Sequence, residues 1–173
     1  FDMVSVLSPG QTNAIVGLGD SQSNYTAYSQ VPIIIRMYKD GSFGVYNGTG
    51  YVQSNVKFTQ NEKYHLRVSI DLEAKKYSVF VTAQDQEEVK IADNFAFRST
   101  AKPIEDIGKI YLFNNDQAAG KYWLENIYLG KQVEQVKPSE NALISIESST
   151  SGAISANRLI GPSTKNPVNV EFD

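Results

Sequence analysis

The chain has no cysteine, one histidine and one tryptophan. Without cysteine there are no disulfides, no thiol chemistry and no Cys-ligated zinc. A single histidine cannot build a histidine-rich metal site. Basic clusters are also missing. Lysine and arginine occur singly or in pairs in a chain of net charge −3, which argues against a phosphate-tracking surface for nucleic acid. No apolar run approaches the ~20 residues of a membrane-spanning helix. No segment repeats apolar residues at i, i+3, i+4 and i+7 over ten or more positions, so amphipathic helices do not form the core. Nucleotide-phosphate motifs are absent, since Gly17-Leu18-Gly19 leads into no helix.

What is present is period-2 alternation. With 173 residues, 41% of them hydrophobic, the chain can fold as one domain with a sizeable core, or one domain plus an extension. The clearest segment is 62–82, where two alternating runs flank a short polar turn, the signature of a long β-hairpin. Leu66, Val68 and Ile70 share one face, which Tyr77, Val79 and Val81 match. His65, Arg67, Ser69, Ser78, Phe80 and Thr82 take the other. Further strands are expected over 1–7, 13–18, 31–38, 43–47, 51–52, 88–91, 107–113 and 121–129. In 31–38, Val31, Ile33, Ile35 and Met37 form one face, and Ile34, Arg36 and Tyr38 the other. Asp40-Gly41 and Asn47-Gly48 are hairpin turns. Segment 93–106 is less regular, with a helical turn expected near 104–108. Strands at this spacing indicate an all-β antiparallel sandwich or jelly roll.

The expected organisation is a sandwich body over 1–131, a polar linker over 132–141, and strands again over 142–173, at 142–147, 157–160 and 167–173. The final run alternates Val168, Val170 and Phe172, and Met3 continues it in phase if residue 3 is laid after residue 173. The tail therefore reads as the opening strands of the same kind of domain. It can fold back in cis, be donated to a neighbouring copy, or begin a tandem repeat. Donation would give a homo-oligomer or filament.

The strings Ile-Ile-Ile-Arg-Met-Tyr, Asp-Gly-Ser-Phe, Tyr-Asn-Gly-Thr-Gly-Tyr, Lys-Tyr-His-Leu-Arg-Val-Ser-Ile-Asp, Lys-Lys-Tyr-Ser-Val-Phe-Val and Phe-Ala-Phe-Arg occur in this order. Together with the closing Trp-Leu-Glu-Asn-Ile-Tyr-Leu, the chain resembles a concanavalin A-like (laminin-G-like) jelly-roll module. Such modules are appended to secreted bacterial polysaccharide lyases and glycoside hydrolases. The resemblance implies a secreted, non-catalytic sandwich that binds carbohydrate, with cell-wall polysaccharide as the expected ligand. It also implies a structural Ca²⁺ near the first and last strands, for which Glu125 and Glu147 are the nearest equivalents.

Catalytic patterns are missing. The Glu-x-Asp-x-x-Glu strand of jelly-roll glucanases has no counterpart, and Asp71 and Glu73 sit in a turn. A triad around His65 would need long-range partners. The candidate binding residues are Arg36, Tyr38, Tyr46, His65 and Arg67, which converge on one open face if their strands share a sheet. Aromatic faces stack on sugar C–H patches, and guanidinium forks bridge hydroxyls or pair with uronate carboxylates. Trp123, on the closing strand, is expected in the core.

Overall fold

A computed structural model of the chain describes residues 1–5, 13–114, 120–131, 144–148, 153–156 and 168–170. Within them the chain is all-β. The strands are β1 (Asp2–Ser5), β2 (Ala14–Gly19), β3 (Ile33–Met37), β4 (Ser42–Asn47), β5 (Gly50–Lys57), β6 (Lys63–Asp71), β7 (Lys76–Ala83), β8 (Val89–Ala96), β9 (Lys109–Asn114), β10 (Gly120–Glu125), β11 (Gly130–Lys131), β12 (Ile144–Ser148), β13 (Ala153–Ala156) and β14 (Val168–Val170). A single 3-10 turn, Tyr28–Gln30, interrupts them. No helix among the described residues is long and apolar enough to cross a membrane.

The strands form two antiparallel sheets. Sheet A runs β8–β7–β6–β1–β10–β12, with β14 also paired to β6 and β11 to β14. Sheet B runs β13–β9–β2–β3–β4–β5. The alternation of the central hairpin decides how they face. Leu66 pairs with Val81, Val68 with Val79, and Ile70 with Tyr77, and all six are buried in one cluster with Val16, Leu18, Ile35, Phe43 and Val45 of sheet B. The inward faces of both sheets thus share one core, and burial of each large side chain contributes roughly 1.5–3 kcal/mol.

Two phenols stitch the layers together. Tyr77 of sheet A donates its hydroxyl to the Tyr46 carbonyl of sheet B. Tyr122, also in sheet A, lies 3.0 Å from the Phe113 carbonyl and 3.3 Å from that of Ile15, both in sheet B. Burial pushes both phenols far above the ordinary tyrosine range, so they remain donors.

Several local expectations are corrected. Segment 104–108 is not helical; instead Ile104 and Ile107 enter the core from irregular backbone. β8 extends from 89 to 96, longer than expected, because its pairing with β7 shifts register and Asn94 takes a positive φ of 52°, which breaks the alternation. β5 runs for 8 residues rather than two. It is an edge strand whose apolar residues are Tyr51, Val52 and Val56, two of them consecutive, so period-2 alternation cannot be read along it. Val31 does not continue the inward face of β3. It precedes Pro32 and packs with Ile15, Ile34, Tyr111 and Phe113 on the opposite side of sheet B. Trp123 is not core either: Tyr122 and Leu124 are buried on its two sides and Trp123 itself is only half-buried.

The linker expected at 132–141 and the strand at 157–160 lie outside the described residues, as does Phe172. Of the tail, β12 lies beside β10, β13 beside β9, and β14 beside β6. In that last pairing Val168 stands opposite Ile70 and Val170 opposite Val68.

Candidate functional site

The outer face of sheet B is built from positions that the core does not use. Along β2 the inward residues are Ala14, Val16 and Leu18, which leaves Ile15, Gly17 and Gly19 facing out. The two glycines matter because side chains from the 20–31 segment lie across them. A Cβ on Gly17 would stand 2.7 Å from Val31 Cγ1, and one on Gly19 2.5 Å from the Tyr25 ring. The segment is pinned by its own polar groups. Asp20 accepts from the Gln22 and Ser23 amides at 2.9 and 2.6 Å. Ser21 donates to both oxygens of Asp106, at 2.8 and 2.6 Å, and Lys109 holds the Ser23 carbonyl at 2.7 Å.

Next to this apolar cover lies an aromatic and cationic cluster. Ile35 and Met37 point inward, so Arg36 points out, with its Nε donating to Asn13 Oδ1 at 2.6 Å. Tyr38 follows the strand and folds its ring back over Gly44, where a Cβ would meet Tyr38 Cε2 at 2.2 Å. That glycine is what allows the ring to lie flat on the sheet. The Arg36 guanidinium then sits 4.5 Å from the Tyr38 ring and 5.3 Å from that of Tyr51. Tyr46 and Tyr51 are opposite each other across the β4–β5 ladder, edge to face with centroids 4.8 Å apart. Arg98, from the segment after β8, covers the far side with its guanidinium 3.6 Å above the Tyr46 ring. These guanidinium–ring contacts are of cation–π geometry.

The cluster is uncompensated. Neither Arg36 nor Arg98 pairs with a carboxylate among the described residues. Tyr51 Oη and Arg98 Nη2 are buried with no hydrogen-bond partner. Burial raises the Tyr38 phenol to about 12, against the pull of Arg36. Burial also raises Tyr51, with Arg36 and Arg98 both pulling down. Both phenols are therefore protonated donors at neutral pH. Flat ring faces, phenol donors and guanidinium forks together can stack on a sugar ring and bridge its hydroxyls.

The five residues singled out from the sequence do not converge. Arg36, Tyr38 and Tyr46 meet in this cluster, whereas His65 and Arg67 stand on β6, in sheet A, facing out on the opposite side of the sandwich. Alternation correctly placed all five away from the core, but it cannot tell which sheet a strand joins. His65 and Arg67 are instead bound into local networks. His65 Nδ1 lies 2.9 Å from Asp2 Oδ1, and the other Asp2 oxygen accepts from Asn126 Nδ2 at 2.9 Å. Asp2 is only 5% exposed. Burial opposes its charge, but the bonds from His65 and Asn126 and nearby positive charge prevail, so its carboxyl titrates below the usual value of 3.8. Arg67 lies 3.7 Å over the Phe80 ring and forms a fork with Glu88 at 2.9 and 2.5 Å. Asp71 caps the hairpin turn by accepting from the Ala74 amide at 2.8 Å.

Glu125 and Glu147, the two residues named for a Ca²⁺, stand on different rungs of sheet A. Glu125 stands opposite Asp2 and is engaged by the Lys63 ammonium, while Glu147 takes the rung of Lys121, four residues along β10. At about 3.3 Å per residue the two backbone rungs are roughly 13 Å apart. No group of three or more metal-ligating side chains occurs among the described residues.

Sequence reasoning missed Tyr51, Gly44 and Arg98. Tyr51 was accessible, because a tight turn at Asn47-Gly48 fixes the rung that pairs 46 with 51. Arg98 carried no signal, since irregular backbone brings it to Tyr46.

No protein-family model and no solved structure matches the chain. Among curated proteins it is similar to a gellan lyase from a Bacillus species, 27% identical over 113 residues. That match covers 64% of this chain but 4% of the lyase, so the chain corresponds to a small part of that protein's length.

Proposed function

We propose that the chain is a non-catalytic, carbohydrate-binding β-sandwich module of the concanavalin A-like kind, working outside the cell as part of a polysaccharide-degrading protein. The observation that carries this reading is the Arg36–Tyr38–Tyr51–Tyr46–Arg98 cluster, a solvent-bordering aromatic platform with guanidiniums that no carboxylate of the described residues neutralises. Similarity to a short stretch of a gellan lyase supports a role in polysaccharide handling, and its small share of that lyase supports an accessory part rather than the catalytic one. Affinity electrophoresis against gellan, pectins, xylans and glucans tests the proposal. Retardation by at least one polymer, lost in the double variant Arg36→Ala/Tyr38→Ala, is the expected result. Unretarded migration in every gel counts against it.

A second reading is strand exchange between copies. β7 covers one side of β6 along its length, and the other side is shared end to end by β14, at Val68–Ile70, and β1, at Lys63–His65. A tail that lies in line with the first strand can be supplied by the same chain or by a neighbour. Light scattering on the purified chain decides: growth of the mass with concentration favours donation, and a constant monomer mass excludes it.

A further inference from the structure

The turn joining β6 to β7 and the segment 97–104 enclose a pocket of about 370 Å³. Its wall contains Lys75, Lys76, Lys102 and Arg98, with Phe97 and Pro103 among its apolar members and no carboxylate. This is unexpected in a chain of net charge −3. Glu73 and Glu105 are close in sequence but are not part of the wall. None of the three lysines pairs with an acid among the described residues. Main-chain bonds fix the frame. The Phe97 amide donates to the Lys75 carbonyl at 3.0 Å, the Arg98 amide to the Pro32 carbonyl at 2.8 Å, and Lys75 holds a positive φ of 54°.

Arg98 is the informative member. It is 8% exposed, its Nε donates to the Val31 carbonyl at 3.2 Å, and its Nη2 has no partner. A buried guanidinium is normally paired or fully hydrogen-bonded, because an unmet charged donor in a low-dielectric setting is costly. Four cations around one recess with no carboxylate in its wall favour an anion.

We propose that this pocket is a subsite for the carboxylate of an acidic sugar residue. The apolar walls fit a sugar ring better than a bare inorganic ion. The volume lies toward the lower end of small-ligand pockets, which span about 300–1,000 Å³. Arg98 lines the pocket and also stacks on Tyr46, so the pocket adjoins the aromatic platform. A polysaccharide lying on Tyr38, Tyr51 and Tyr46 runs toward it. The inference rests on the carbohydrate-binding reading and narrows it to acidic polymers.

The test is calorimetry on the full chain with an oligogalacturonate and a neutral cello-oligosaccharide of equal length. The expected result is at least tenfold tighter binding of the acidic oligomer, shrinking as salt rises. The exposed triple variant Lys75→Gln/Lys76→Gln/Lys102→Gln should lose that preference while keeping its neutral affinity. Equal affinity for the two oligomers, or an undiminished preference in the triple variant, overturns the subsite and leaves the module reading standing. Orthophosphate binding more tightly than monomeric galacturonate assigns the pocket to a free inorganic anion and overturns it as well. Failure of both oligomers to bind overturns the subsite, and the module reading falls with it only when every polymer of the electrophoresis panel also migrates unretarded.

Discussion

The two outer faces of the sandwich use the same residue types to opposite ends. On sheet A, Asp2 meets His65, Asn126 and Lys63, Lys63 meets Glu125, and Arg67 meets Glu88 over Phe80. On sheet B, arginines lie against tyrosines and no acid among the described residues answers them. A neutralised charge has spent its interactions inside the fold. A charge left on an aromatic shelf has donors to offer a ligand. The difference separates a face that holds strands together from one suited to recognition.

The contrast can be broken most directly on sheet B. Arg36→Ala/Tyr38→Ala should weaken polysaccharide binding about a hundredfold or more, equivalent to about 2.7 kcal/mol, as expected for central aromatic and arginine contacts. Urea unfolding should move little, because both residues are half-buried. A comparable loss of stability instead would make the cluster structural.

Sheet A should behave in the reverse way. Asp2→Ala removes a buried carboxylate with hydrogen bonds to His65 and Asn126, at a cost of about 2 kcal/mol in urea unfolding, with polysaccharide affinity unchanged. The pH dependence follows from the sign of the shift. The folded-state pKa of Asp2 is depressed below 3.8, so its stabilisation is complete above that value and is lost as pH falls through the lower folded value. Asp2→Asn should accordingly flatten the acid limb of the stability–pH curve below about pH 4.

A subtler change tests the platform's geometry without removing a ring. Gly44→Ala puts a methyl where Tyr38 lies, at 2.2 Å from Cε2, and must displace the ring. Binding should fall about tenfold, equivalent to about 1.4 kcal/mol, which titration calorimetry resolves. Smallest of all, Arg67→Ala should cost about 0.5–1 kcal/mol from a half-exposed ion pair and leave retardation unaltered. If Arg67→Ala abolishes binding, the two faces have been assigned the wrong way round.

Much of the fold was legible because alternation survives wherever one face is buried. Leu66, Val68 and Ile70 announce both their strand and its inward side. β5 and β8 were not readable in the same way. One carries few apolar residues and no regular alternation, and the other is broken by a register shift and the positive φ of Asn94. The site was legible by halves. Arg36, Tyr38 and Tyr46 are close along the chain and are joined by one short turn, so their convergence follows from local geometry. His65 was grouped with them because period-2 counting reports only in or out. Its partner Asp2 is 63 residues distant, and no spacing rule reaches that far. Arg98 depends on irregular backbone, where neither period applies.

The buried phenols of Tyr77 and Tyr122 carry a mechanical consequence. Each bridges from one layer to the main chain of the other, and they do so at separate places in the core. Sliding one sheet over the other would require both rivets to fail at once, in a buried setting. Shear between the layers would load both phenols, and Tyr77 ties the rigid interior to the very strand that carries Tyr46.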